Sequence, residues 1–171
     1  MRGRGQAMRF GRDVVVLAAC FSIMTGQAFA CDVGQATATV TAISQKIGAR
    51  QVKRIELSKI SDRLLASVPV APERFATYSS ERKTLVLTDR DASELAVAVK
   101  ALTPSELAYP PDLRWQLVFL DEAGAKLHTI FFSKRYVQGR GRAGYIDGNR
   151  CSFSTATVGS PALVKWLQKR L

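Results

Sequence analysis

Five cationic side chains, Lys134, Arg135, Arg140, Arg142 and Arg150, fall within 17 residues, and Asp147 is the only acid among them. Tyr136 and Tyr145 lie within the run and flank the loop that carries Arg140 and Arg142. An arginine fork binds a carboxylate or phosphate through two parallel hydrogen bonds, and an aromatic ring beside it offers a flat packing surface. Gly139, Gly141 and Gly144 let the intervening backbone adapt. The segment reads as a basic loop that reaches an acidic surface or polymer, with Lys134, Arg135, Tyr136, Arg140, Arg142 and Tyr145 as its candidate binding residues. The plainer alternative is a solvated connection.

The same glycines match G-x-G-x-x-G, but the dinucleotide fingerprint needs a strand before it and a helix after it. Here a second strand is expected to follow, Gly144-Tyr145-Ile146, so no helix N-terminus is created to hold a phosphate. No nucleotide cofactor is expected. His128 is the single histidine. A general base needs a nucleophile and an orienting carboxylate within hydrogen-bond reach. Ser133, Ser152 and Ser154 lie near it in sequence but in no nucleophile-elbow pattern, so a structural histidine is expected. One histidine and two distant cysteines do not make a zinc site. Asp89, Asp91 and Glu94 lack calcium-loop spacing, and helix capping accounts for Asp91 and Glu94. Asp112, Asp121, Glu122 and Asp147 fall in turns, where aspartate is common for conformational reasons. A hydrolytic carboxylate pair would have to be assembled from them in three dimensions.

The elements that must hold these groups are readable in part. Val52 to Ile60 alternates like a strand, with Ile55 and Leu57 on one face. Residues 61–65 suit a short helix opened by Ser61-Asp62, and Val68 to Pro72 reads as a loop. Thr84 to Thr88 is a strand, and Asp91 to Leu102 a helix with Glu94 completing a capping box. Trp115 to Leu120 and Leu127 to Phe132 form a hairpin around Gly124. Cys151 and Phe153 belong to a further short strand, and Ser160-Pro161 opens a final helix lined by Leu163, Leu167 and Leu171. Residues 31–50, rich in Ala and Thr, fit neither period cleanly. The expected fold is α+β: an antiparallel sheet of about five strands with two main helices, the C-terminal one packed on the sheet.

The first 30 residues read as a cleavable export signal. Arg2, Arg4, Arg9 and Arg12 precede an apolar run from Val14 to Met24, and Ala28-Phe29-Ala30 gives a small-x-small cleavage site. The run is shorter than the roughly 20 residues that span a bilayer, so no transmembrane segment is expected in the mature chain. Residues 31–171 then form one globular domain beginning at Cys31. Lipid attachment at Cys31 is a minor alternative, opposed by the bulky Phe29 and by Ala28 where a leucine is usual. In an oxidising compartment the two remaining cysteines, Cys31 and Cys151, are expected to pair.

The whole chain carries 25 Lys and Arg against 14 Asp and Glu; loss of the leader removes four arginines and Asp13, leaving a net charge near +8. That balance favours acidic partners. The expectation is a periplasmic or secreted binding module without catalysis, inhibitory or accessory to a protein partner, or bound to an anionic envelope component. The alternatives are a small hydrolase acting on an envelope polymer and a secreted polyanion-binding protein.

Overall fold

The structure, a computed structural model, describes residues 31–61, 63–64, 69–105, 112–133, 144–147, 151–154 and 162–170. The expected leader, the basic loop between 134 and 143 and the Ser160-Pro161 helix start lie outside the described residues.

The first element is a long helix, α1 (Val33–Gly48), in the stretch whose sequence fits neither period. The Asp32 side chain caps it by accepting the amide of Gln35. Ala36, Val40, Ile43 and Ile47 form its buried stripe. Thr37, Thr39 and Thr41 lie on the exposed or half-exposed side and donate their hydroxyls to carbonyls four residues back. That bonding lets β-branched threonine sit inside a helix.

Strands β1 (Arg54–Ile60), β2 (Ser79–Val86), β4 (Leu113–Leu120), β5 (Lys126–Ser133) and β6 (Gly144–Ile146) make one five-stranded sheet in the order β2-β1-β4-β5-β6. Every neighbouring pair is antiparallel, as expected for this fold class. Strand β3 (Thr103–Ser105) pairs separately with β7 (Ser152–Ser154). Helix α2 (Pro72–Tyr78) begins where a loop is expected: Pro72 blocks a continuing helix but suits a starting one. Helix α3 (Asp89–Lys100) starts two residues earlier than expected. Its cap is Thr88, and Asp91 rather than Glu94 completes the capping box. The second long helix pair is therefore α1 with α3, and the C-terminal helix α4 (Ala162–Gln168) is short and lies against α3.

Two cores follow. The main one lies between one sheet face and helices α1 and α3, and includes Ile43, Leu95, Leu117, Phe119 and Ile130, joined by Trp166 of α4. The smaller one lies on the other face, where Phe75 of α2 meets Phe131 edge-on with ring centroids 5.5 Å apart. The register of β4 against β5 slips between Leu113 and Trp115, so Leu113 turns to the smaller core while Leu117 faces the main one. Between them the buried Arg114 uses Nε and Nη2 to grip Asp112, while Nη1 donates to the carbonyls of Ser61 and Leu64. Asp112 also accepts the amide of Val70.

Arg170 closes the C-terminal end by pairing with Asp91 at 2.6 Å and Glu94 at 2.7 Å, with its guanidinium over the Trp166 ring. Thr88, then Arg170, hold the Asp91 carboxyl below its ordinary range against the opposing effect of burial. Arg90 and Arg170 do the same for Glu94, and Arg170 is itself raised, first by Asp91. These carboxylates serve arginines and the helix cap. Among the described residues no group of three potential ligands could hold a metal ion, and no helix is long and apolar enough to cross a membrane.

Asp112→Ala should cost about 3 kcal/mol of stability, because it leaves a buried guanidinium with carbonyl partners alone. Urea denaturation measures this, and the loss should be much smaller for Asp121→Ala in the exposed hairpin turn.

Candidate functional site

The hairpin between β4 and β5 is closed by Gly124, at φ +85°, and by the Asp121 carboxylate, which accepts the amide of Ala125 at 2.7 Å. It sets the register that sends Leu127, Ile130 and Phe132 toward the main core. Thr129 and Phe131 belong to the opposite face. Strand β6 then returns beside β5, with Ile146 opposite Ile130. The next residue, Asp147, adopts φ 44° and lies alongside Thr129. Aspartate tolerates this left-handed conformation better than most residues. The turn expected at Asp147 is present at that residue, and Gly148 lies outside the described residues.

This conformation puts the Asp147 carboxylate to work. Oδ1 accepts the Thr129 amide at 2.6 Å and Oδ2 lies 2.5 Å from Nδ1 of His128. On the other side of the imidazole, Nε2 is 3.0 Å from Nζ of Lys46, in the last turn of α1. An ammonium has only donors, so Nε2 accepts from Lys46 and the ring proton sits on Nδ1, donated to Asp147. The chain is thus Lys46 to His128 to Asp147, joining α1, β5 and the end of β6. The His128 side chain is 13% exposed, so the imidazole is largely shielded, whereas the Asp147 side chain is 35% exposed.

The arrangement has the orienting half of a catalytic relay, a histidine held by a carboxylate. Its other half differs. The nitrogen that would take a proton from a nucleophile is engaged by Lys46. A structural role for His128, as expected from the sequence, fits this geometry, and the orienting carboxylate is Asp147.

A cleft of about 410 Å³ opens on the sheet face away from α1, lined by Pro72, Gln116, Lys126, Thr129, Phe131 and Asp147. Among the described residues Asp147 is the only carboxylate of that lining. The other turn acids have separate tasks: Asp112 holds Arg114, and Asp121 closes the hairpin. The cysteines come together at disulfide distance, with sulfurs 2.10 Å and α-carbons 4.7 Å apart across 120 residues of sequence.

Of the residues expected in the basic loop, Lys134, Arg135, Tyr136, Arg140 and Arg142 lie outside the described residues. Tyr145, which the sequence sets beside that loop as an open ring, is 3% exposed and packs in the smaller core. Lys46, Gln116, Lys126 and Thr129 were not legible as site residues. The alternation of β5 is the one signal that puts His128 and Thr129 on opposite faces. No protein-family model, curated protein or solved structure matches this chain.

Long-range proton–nitrogen NMR spectra at alkaline pH should show His128 protonated on Nδ1. Asp147→Asn should shift the population toward the Nε2-protonated form. A dominant Nε2 tautomer in the parent would contradict the relay.

Proposed function

We propose that this chain is exported through a cleaved leader and acts outside the cytoplasm as a non-catalytic binding domain for an acidic envelope component. The observation that carries the reading is the Cys31–Cys151 pair, because Cys31 is the first residue expected after cleavage. Structural disulfides persist in oxidising compartments and are rare where thiols are kept reduced. The net charge near +8 of residues 31–171 favours acidic partners over basic ones.

Binding is favoured over hydrolysis on two grounds. Nε2 of His128 is engaged by Lys46. The cleft lining, among the described residues, holds a single carboxylate where glycoside hydrolysis uses two. The sequence between β5 and β6 contributes Lys134, Arg135, Arg140 and Arg142 to the positive charge, with Tyr136 among them.

Expression of the full chain in a bacterium, followed by osmotic-shock fractionation and intact mass measurement, tests the reading. The product should be periplasmic, start at Cys31 and weigh two hydrogen atoms less than the dithiol. A cytoplasmic product retaining residues 1–30 would overturn the proposal. A mass increase of lipid size would keep export but replace the disulfide by lipid attachment at Cys31.

A further inference from the structure

The cleft beside α2 holds two polar side chains without a side-chain partner among the described residues. Lys126 and Gln116 make no side-chain hydrogen bond or ion pair among the described residues, and both line the cleft. Thr129 also lines it, but the residue is 6% exposed and its hydroxyl is closed off from the cleft, with no hydrogen-bonding partner among the described residues. Phe131 and Pro72 add apolar surface, and the Phe131 ring is fixed from behind by Phe75.

We propose that this cleft binds an acidic sugar unit, with Lys126 taking its carboxylate and Gln116 and Asp147 taking its ring hydroxyls. The inference rests on the proposed role as a binder of an acidic envelope component, and it names the chemistry of that component. Sugar hydroxyls both donate and accept, and so does the amide of Gln116. Asp147 accepts only. Its two oxygens already take one hydrogen bond each, from Thr129 N and His128, and retain lone pairs for a further neutral donor. A ligand ammonium suits that position less well, because the Lys46 charge stands directly behind His128. A phosphate group fits poorly too, since one cation and one carboxylate share the small cleft. The C–H face of a pyranose matches the apolar Phe131 and Pro72, and the open volume lies within the size range of small-ligand sites.

The test uses nitrogen-15-labelled, exported and oxidised protein titrated with glucuronate, and separately with glucose, acetate and glycine. Glucuronate should shift the amides of residues 126–131 and Asp147 saturably. Glucose, which lacks the charge, and acetate, which lacks the hydroxyls, should bind at least about tenfold more weakly, the loss expected for one charged hydrogen bond or several neutral ones. Lys126→Met should weaken glucuronate binding about tenfold or more. Gln116→Met should also weaken it, yet leave the melting temperature close to that of the parent, because the amide has no partner among the described residues to lose. Absence of saturable shifts at these amides, or unchanged glucuronate affinity in both variants, would overturn the site. Glycine binding as tightly as glucuronate would overturn the sugar assignment. The intact mass of the same sample reports export and oxidation. A failed titration on a periplasmic, oxidised product therefore counts against the cleft alone.

Discussion

The covalent link between Cys31 and Cys151 is the constraint on which the arrangement of this chain depends. Cys31 lies two residues before α1, and Cys151 immediately precedes β7. The bond therefore ties the start of the longest helix to the small β3–β7 pair, and β3 itself packs against α1. Further polar ties hold the other end of α1. Arg50 reaches Asp89 at 2.9 Å at the start of α3, and Lys46 reaches His128 on β5. A helix fixed at both ends covers the main sheet face, and the Lys46–His128–Asp147 chain forms only because that helix stays in place.

The two sheet faces divide the work. One is covered by α1 and α3 and is packed with aliphatic and aromatic side chains, with residues of α4 in the same core. The other is covered by α2 over part of its area, and the cleft lies beside that helix. The β4 bulge makes the division possible by turning Leu113 toward the smaller core while Arg114 pins the segment that leads into α2. Asp147 touches both sides of this plan: one oxygen orients a histidine on the packed side, and the residue lines the open cleft. The relay residues are therefore paired, whereas Lys126 and Gln116 in the cleft make no side-chain hydrogen bond or ion pair among the described residues.

The hairpin of β4 and β5 was legible because alternation, a glycine turn and two apolar faces all agree there. The fold class followed from it. Helix α1 was not legible, since its threonines weigh against a helix until their hydroxyls are seen to bond back along the backbone. Helix α2 was hidden by Pro72, read as a break when it is a start. The shift in α3 has a similar cause: Asp91 and Thr88 both suit a cap, and only the reciprocal hydrogen bonds assign the roles. The relay could not be read at all. Lys46 is 82 residues from His128, and Asp147 is 19 residues beyond it, across a connection whose length leaves the β5–β6 register open. The cleft residues were equally silent, because an exposed lysine, a glutamine and a threonine on strands carry no signature until the sheet brings them together.

The account stands most directly on the stability contributed by the Cys31–Cys151 bond. Denaturant unfolding of the oxidised protein should be compared with that of the same protein after reduction and of the Cys31→Ser, Cys151→Ser double variant. Closing a loop of 120 residues predicts a loss of about 4–5 kcal/mol in both by the chain-entropy argument. Unfolding midpoints and slopes that coincide for the oxidised, reduced and double-serine proteins would contradict it.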